Sequence, residues 1–209
     1  MPSWVMESIP LFPLNTVLFP GGHLPLQVFE LRYLDMVGKC IAADRPFGVV
    51  ALLDGAEVRQ PERLETLSDV GTLARVRDWA APMSGLLHAE CVGERRFRVI
   101  RSERLKNGLW TAEVEVLEPD QAIAIPVELQ DTADALGGLI RALQDGPQGA
   151  QGLPFAAPLL LDECGWVANR WCELLPIERD QRQRLLMQDN PVLRLELIQD
   201  MLAERGMLG

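Results

Sequence analysis

The side chains of this sequence that could do chemistry are few and far apart. Its two histidines, His23 and His88, are each distant along the chain from the four cysteines, and no C-x-x-C pair occurs. A tetrahedral metal site would therefore need separate segments to converge on one point. Buried thiols that act as small hydrophobes are the expected state of the cysteines. We predict no metal site and no cofactor.

Nucleophilic catalysis has no better support in the sequence. None of the serines lies in a G-x-S-x-G motif. Ser102 and Lys106 are separated by well over ~10 Å if the chain between them is extended, which is too far for a serine–lysine dyad. The phosphate-binding motif G-x-x-x-x-G-K-[ST] is also absent from the sequence. The sequence therefore predicts neither catalytic residues nor nucleotide hydrolysis.

Binding through aromatic and arginine side chains is the chemistry that the sequence favours. Arg32 and Tyr33 follow a long apolar run and could grip a peptide carbonyl or a carboxylate at the edge of a groove. The alternative is structural: Glu30 accepts hydrogen bonds from backbone donors at a helix start, and Arg32 ties that helix to a barrel. Further residues that could line a groove are Phe19, Pro20, Trp79 and Trp110. Aromatic side chains, however, are more often part of a core.

A cluster of arginines is the best candidate for contact with nucleic acid. Its members are Arg95, Arg96, Arg98, Arg101 and Arg104. The facing strand carries Glu113 and Glu115, which are placed for ion pairs across the strands. The net charge of −10 also removes the counterion-release term that drives nonspecific binding to nucleic acid. We predict a self-neutralised ladder and keep RNA binding as an alternative.

Composition predicts a folded protein of the cytoplasm. The chain has 209 residues, of which 48% are hydrophobic, enough for a substantial core. Its longest apolar runs, such as 47–53, are far shorter than the ~20 residues that a membrane helix needs. The first residues contain no basic leader of the kind that precedes a signal peptide, and the cysteines show no disulfide-like density.

The apolar run 9–33 organises the rest of the chain. Its prolines each remove a backbone donor and fix φ, so the run must divide into short extended segments. Turns are predicted at Asn15-Thr16 and at 20–22. A helix of about three turns is predicted to start at Glu30. Its predicted apolar stripe consists of Leu31, Leu34, Gly38 and Ile41.

Strand patterns follow this helix, and helical patterns follow the strands. Strands are predicted at 46–53, 70–76, 86–92 and on both sides of 107–108, with an exposed, mobile loop over 55–68 and a long connection over 78–85. Helices are predicted around the stripes of 129–143 and 160–174, over 178–188, and from Asn190-Pro191 to Gly206.

Asn107-Gly108 is a turn signal with a consequence for register. The pair favours a two-residue type I′ hairpin loop. That loop would place Arg101 and Glu103 on the apolar side of the hairpin, opposite Val114 and Ala112. Either a bulge shifts the register, or the two charges lie at a barrel rim.

The opening run, with Phe29-Glu30-Leu31-Arg32-Tyr33, resembles the start of the Lon protease N-terminal domain family, the LON substrate-binding domains. Members also occur as free-standing bacterial proteins and in cereblon. The segments 70–74, 93–97 and 174–177 are similar to this family as well, so the resemblance covers nearly the whole chain. It implies an α+β fold in which a β-rich, PUA-like pseudo-barrel over 1–118 precedes a helical bundle over 119–209.

The resemblance also implies a function. A stand-alone bacterial member without the ATPase and peptidase of Lon would be a non-catalytic module that binds unfolded or degron-bearing polypeptides and delivers them to a separate protease. An exposed strand edge could take such a segment by strand addition. Two further hypotheses remain: a small-molecule binder or enzyme at the junction of barrel and bundle, where Arg32, Tyr33 and Trp79 could converge, and RNA binding by the PUA-like half. The sequence specifies no oligomeric state.

Overall fold

The structure, a computed structural model, describes residues 6–54, 65–146, 155 and 158–208. The chain divides into two units, Met1–Pro119 and Asp120–Gly209. The first unit holds the strands and one helix, and the second holds the remaining helices. The predicted α+β fold class is confirmed. No helix among the described residues has both the length and the apolar character of a membrane span.

Six strands of the first unit form a single sheet, and five of them close into a barrel. The elements are β1 (Met6–Leu14), β2 (His23–Val28), α1 (Leu31–Ala42), β3 (Phe47–Asp54), β4 (Thr66–Met83), β5 (Leu86–Arg104) and β6 (Trp110–Val116). The sheet order is β2-β5-β4-β3-β1-β6, and β6 pairs in addition with β5, which closes β5, β4, β3, β1 and β6 into a barrel and leaves β2 as an edge strand. Only β1 and β3 run parallel; the other pairs of named strands are antiparallel.

Helix α1 begins directly after Glu30, which confirms the predicted helix, but only half of the predicted apolar stripe is correct. Leu34 and Ile41 are partly buried and pack against the core, whereas Leu31 and Gly38 do not. Leu31 is 84% exposed and Gly38 is also exposed. The buried side chains are instead Arg32, Tyr33, Met36, Val37 and Cys40. The Tyr33 ring stacks on Phe12 of β1 with a centroid distance of 4.1 Å. This contact turns the Tyr33 side of the helix toward the core. The stacked aromatic pair, rather than the spacing of the leucines, therefore sets the rotation of α1 about its own axis.

The connection between β4 and β5 is shorter than the sequence predicts. The strands continue as far as the Met83–Leu86 pair, and only Ser84 and Gly85 lie between them. Gly85 has φ +81°, a conformation that glycine adopts without steric cost. The predicted long connection is therefore wrong, because the two strands continue through most of it. Residues 78–85 are all exposed, so they have no burial pattern by which a strand could be predicted. Of the predicted loop 55–68, residues 55–64 lie outside the described residues, and Thr66–Ser68 belong to β4.

The turn between β5 and β6 is not type I′. Leu105 N donates to Leu109 O at 2.8 Å, and Gly108 N donates to Leu105 O at 2.8 Å. Gly108 has φ +85°, whereas Asn107 is not among the residues with positive φ. A type I′ turn requires positive φ at both central residues. The loop is therefore Lys106–Gly108, a type I turn followed by a left-handed glycine, and it is one residue longer than predicted.

A bulge in β5 completes the change of register. The pairing with β6 shifts between Val99 and Arg101, so Val99 lies opposite Val114 and Arg101 lies opposite Glu113. Of the two alternatives for Arg101 and Glu103, the bulge is confirmed. Both side chains are exposed and lie away from the buried Val114 face.

The second unit consists of helices close to the predicted boundaries. After a short 3-10 turn (Val127–Leu129), the elements are α2 (Gln130–Gln144), α3 (Cys164–Leu174), α4 (Arg179–Met187) and α5 (Pro191–Glu204). The predicted cap of α5 is confirmed, since Asn190 Oδ1 accepts hydrogen bonds from the backbone of Val192 at 3.0 Å and Leu193 at 3.3 Å. Proline at the first helical position follows this cap.

The last turn of α3 carries a carboxyl group that titrates near neutrality. Burial raises the pKa of Glu173 to about 7, against the opposing charges of Arg170 and Arg182. The folded state then binds more protons than the unfolded state between the ordinary pKa of 4.5 and about 7. Stability from this group is complete below that window and is lost as the pH rises through it.

We expect Glu173→Gln to flatten the pH dependence of the free energy of unfolding across this window, by on the order of 3 kcal/mol. Urea denaturation at a series of pH values measures it. Glu196→Gln removes an exposed carboxylate of α5 and is the matched control, expected to leave the dependence unchanged. A Glu173→Gln variant that retains the parental slope would contradict the assignment.

Candidate functional site

Strand β2 is paired along one edge only. It runs antiparallel to β5, and no described backbone hydrogen bond reaches its other edge. Gly93 of β5 donates from its backbone N to Gly22 O at 2.9 Å, so Gly22, next to β2, is in a hydrogen-bonded pair. Such pairs alternate along an antiparallel ladder. The backbone groups of His23, Pro25 and Gln27 therefore point away from β5 and form an open edge.

Side chains alternate between solvent and core along β2. His23, Pro25 and Gln27 are exposed, and the residues between them, Leu24 and Leu26, are buried. Pro25 has no backbone N–H, so the open edge offers its carbonyl but no donor at that position. A proline on an edge strand also limits unwanted pairing with other chains.

Strand β1 changes partner along its length. It pairs with β6 from Met6 to Leu11 and with β3 from Leu11 to Leu14. Each half of β1 therefore has one edge without a strand partner among the described residues. In the second half, around Phe12, the open edge is the one that β6 has left.

A groove of about 280 Å³ lies between these two incompletely paired strands. Its walls come from β1 and the turn after it, from β2, and from the start of α1; the lining residues are Phe12, Leu14, Thr16, Leu24, Pro25, Leu26, Gln27, Val28, Phe29, Glu30 and Tyr33. We call this groove the seam. Most of its lining is apolar, and Glu30 is the one charged residue among the described residues that line it.

One end of the seam combines a neutral phenol with exposed apolar side chains. Burial raises the pKa of Tyr33 to about 12, with the nearby Arg32 charge acting in the opposite direction. A phenol is protonated at physiological pH even at the ordinary pKa of 10, and burial moves the pKa of Tyr33 further from that range, so its hydroxyl can donate a hydrogen bond. Phe29, which lines the seam, is 59% exposed, and Leu31 beside it is 84% exposed. Large apolar side chains held in solvent next to a groove are typical of binding surfaces.

Arg32 has contacts of a structural kind. Its Nε donates to Glu30 Oε2 at 2.9 Å, and its Nη1 donates to Gly108 O at 2.6 Å in the β5–β6 loop. The guanidinium lies 4.4 Å from the centroid of the Tyr33 ring. Glu30 makes no side-chain hydrogen bond to a backbone donor of the helix start, which corrects that part of the structural alternative. Arg32 Nη2 is buried and has no acceptor among the described residues.

The other predicted site residues are spread over the first unit. Phe19 is fully buried, and Pro20 is partly buried in the turn before β2. Trp79 is 53% exposed on the β4–β5 hairpin. Trp110 is partly buried, and its Nε1 donates to Glu65 Oε2 at 2.5 Å. Of the predicted set, only Tyr33 lines the seam, with Arg32 adjacent to it in the chain.

Sequence reasoning missed the seam residues of β2 and the exposed Phe29 and Leu31. The signal available was the alternation of β2 around Pro25, which indicates an edge strand. Exposure of Phe29 cannot be inferred from its type, because an apolar residue beside an apolar run is normally buried.

The arginine cluster is largely paired within the first unit. Arg98 Nη1 lies 3.3 Å from Glu115 Oε2, the cross-strand pair that the sequence predicts. Arg95 donates to Leu117 O at 2.9 and 2.6 Å. Arg96 is buried. These contacts leave little of the cluster available as a continuous cationic surface.

The cysteines are buried and do not pair with one another. All four are free thiols. Burial raises the pKa of Cys91 and that of Cys172 to about 12, so both thiols are protonated at neutral pH. Within the described ranges, no three His, Cys, Asp or Glu side chains are grouped to hold a metal ion.

The chain also matches a known protein family over most of its length. The model of the ATP-dependent protease La (LON) substrate-binding domain matches residues 8–204. The chain belongs to this family. The match includes both units, and it confirms the family resemblance inferred from the opening run.

Curated relatives of this LON domain include whole proteases. The Lon protease of Paraburkholderia phytofirmans is 30% identical over 207 residues, which cover 95% of this chain and 24% of the protease. Protein cereblon of Danio rerio is 28% identical over 126 residues, 58% of this chain and 28% of cereblon. The chain thus spans about a quarter of the length of the curated relatives it matches.

Solved structures share the fold over most of the LON domain. The Lon N-terminal domain protein from Xanthomonas campestris has a TM-score of 0.75 and 36% identity, with 93% of this chain and 98% of that chain covered. The N-terminal domain of the Mycobacterium avium complex Lon protease has a TM-score of 0.58 and 18% identity, with 93% and 97% covered. The second likeness supports the fold alone.

Proposed function

We propose that this LON domain binds extended segments of unfolded or degron-bearing polypeptides in the seam. The observation that carries the proposal is the position of an apolar groove between two strands that each lack a partner on one edge. An extended polypeptide satisfies both features, because it offers main-chain hydrogen bonds to an open edge and apolar side chains to the groove.

The proposed binding mode is the addition of the polypeptide as a further strand next to β2. The outward backbone groups of His23, Pro25 and Gln27 pair with the incoming chain, and every second side chain of that chain enters the apolar lining. Main-chain contacts are independent of sequence, so affinity follows from how extended and apolar the segment is. This suits a protein that recognises the unfolded state of many proteins.

The family supports the same conclusion. Its description names substrate binding, and a Lon protease is among the relatives of this chain. Delivery of the bound segment to a separate protease is the second part of the proposal. Capture of an ATP-dependent protease by the immobilised domain, in the presence of a bound polypeptide, is the measurement for that part. If no protease is captured, the delivery part of the proposal is wrong, and the binding part is unaffected.

We expect Gln27→Pro to weaken the binding of an unfolded polypeptide about 10-fold. The substitution removes an outward backbone donor of β2 and leaves the bonds to β5 in place, and one such hydrogen bond contributes about 0.5–1.5 kcal/mol. Fluorescence anisotropy with a labelled, permanently unfolded polypeptide measures the affinity.

Gln27→Thr is the matched control, because it changes the same side chain and retains the N–H. Its affinity is expected to equal that of the parent. Thermal unfolding of both variants tests whether the barrel is intact. Equal loss of affinity in both variants would show that the side chain, not the edge, is responsible; full affinity in Gln27→Pro would exclude strand addition at β2.

A further inference from the structure

A second cavity of the first unit lies at the corner between α1 and β3. Its volume is about 660 Å³, and it shares no lining residue with the seam. Its walls are the start of β1 (Ser8–Pro10), one face of α1 from Asp35 to Cys40, and the corner segment Ala43–Pro46, with Arg75 and Leu109 completing it. We call this cavity the corner pocket.

The floor of the corner pocket is apolar. Ile9, Met36, Cys40 and Leu109 line it, and each of these side chains is buried. A volume of this size is within the range of roughly 300–1,000 Å³ that is usual for ligand sites. The floor therefore suits an apolar side chain of a ligand.

One wall of the corner pocket is an open strand edge. Ser8, Ile9 and Pro10 pair with β6, and the pairing of β1 with β3 starts only at Leu11, opposite Gly48. The β3-side edge of 8–10 therefore has no strand partner among the described residues. This is the complement of the seam, where the second half of β1 is open on the β6 side.

Among the described residues, the charges around the mouth leave one cation, Arg45, without an ion pair. Lys39 lies 2.6 Å from Asp35 in an exposed ion pair. Arg75 is held by Glu94 at 2.5 Å and by Asp44 at 2.9 Å. The side chain of Arg45 has no ion pair or hydrogen bond within the described part of the chain, and it is exposed at the mouth. An unopposed guanidinium in a chain of net charge −10 favours an anionic ligand group.

We propose that the corner pocket binds the carboxyl-terminal end of a polypeptide whose last residues are apolar. The ligand chain lies along the open edge of 8–10, its terminal carboxylate pairs with Arg45, and its apolar side chains contact the floor. An open edge, an apolar floor and a free cation are together the features that capture a chain terminus by strand addition. A fatty acid would use the floor and the cation but not the strand edge, so the terminal peptide accounts for one feature more.

The test compares a labelled peptide with apolar last residues in its free-acid and carboxyamide forms, with affinity measured by fluorescence anisotropy. We expect the acid to bind the parent protein at least 10-fold more tightly than the amide, and Arg45→Gln to abolish that difference. Arg184→Gln removes an exposed arginine of α4 in the second unit and is the matched control, expected to keep the full difference. Equal affinity of acid and amide for the parent, or no binding of the acid at millimolar concentration, would overturn the proposal.

The proposals for the corner pocket and for the seam can be contradicted independently of each other. Gln27→Pro alters the seam edge, so it is expected to leave the preference for the free acid unchanged. If Gln27→Pro removes binding of the acid while Arg45→Gln does not, the peptide occupies the seam and the corner pocket is not its site. If Arg45→Gln alone removes the preference, the corner pocket is supported whether or not the seam binds unfolded chains.

Discussion

Replacement of Gly93 by alanine is expected to lower the free energy of unfolding of the first unit by about 3 kcal/mol and to abolish polypeptide binding in the seam. A Cβ at this position would lie 2.2 Å from Phe19 O and 3.1 Å from a side-chain carbon of Leu18. The first contact is with a backbone oxygen, which cannot turn away as a side chain can. The segment before β2 must therefore move off β5.

That movement would break the attachment of β2. The backbone of Gly93 accepts from Gly21 N at 2.8 Å and donates to Gly22 O at 2.9 Å, and these two bonds hold the turn that starts β2. Loss of both leaves the open edge misplaced with respect to the second half of β1. Binding is expected to fall below detection at temperatures where the variant is still folded.

Urea denaturation and anisotropy with an unfolded polypeptide measure the two effects. Gly38→Ala is the matched control, because a Cβ at that exposed position of α1 has no neighbour within 4 Å. It is expected to leave binding intact and to stabilise the protein by up to about 1 kcal/mol, since alanine is the better helix former. Gly93→Ala with the stability and affinity of the parent would show that the segment before β2 relaxes freely.

The prolines of the opening run connect the sequence to both candidate sites. Pro10 and Pro13 both lie in β1, and each lacks the donor that an uninterrupted ladder needs. β1 accordingly pairs with β6 in its first half and with β3 in its second half. This single change of partner leaves one edge of each half open, and each open edge lines a cavity: the corner pocket in the first half and the seam in the second. Proline density therefore predicts broken pairing, although not which strands become neighbours.

Local chemistry determined most of the elements that the sequence predicted correctly. The cap at Asn190-Pro191 acts within one turn of α5, so its signal does not depend on the rest of the fold. Asn107-Gly108 marked a turn for the same reason. Its loop type was wrong because the loop has three residues instead of two, and the bulge after Val99 shifts the pairing by one further residue in the same direction. The two shifts together place Val99 opposite Val114, an arrangement set by the packing of β5 against β6.

The candidate site was less accessible to sequence reasoning, because it depends on which apolar residues remain exposed. Phe19 and Phe29 are both apolar residues of the opening run. The first is fully buried, and the second is 59% exposed. Only the tertiary arrangement separates them. Tyr33, which lines the seam, was predicted as a candidate because a phenol after an apolar run combines a large ring with a polar group, a signal that residue type carries by itself.

Replacement of Arg194 by methionine is expected to lower the free energy of unfolding of the second unit by about 4 kcal/mol, the second large effect. The guanidinium is buried, and it donates to Asp120 Oδ2 at 2.5 Å and to Asn169 Oδ1 at 2.9 Å. It also donates to the carbonyl of Leu185 at 3.1 Å and to that of Gln188 at 2.5 Å. One side chain thus joins α5 to α3, to the end of α4 and to the segment before α2.

Removal of the cation would leave the Asp120 carboxylate without its main countercharge, and this uncompensated charge is the largest part of the expected loss. The double variant Arg194→Met with Asp120→Leu removes both charges, so it is expected to be less destabilised than Arg194→Met alone. Arg184→Met, at an exposed position of α4, is the control and should change stability by less than about 0.5 kcal/mol. Urea denaturation followed by tryptophan fluorescence measures all three. If the double variant is less stable than Arg194→Met, the hydrogen bonds to Leu185, Gln188 and Asn169, rather than the ion pair with Asp120, account for the stability that Arg194 provides.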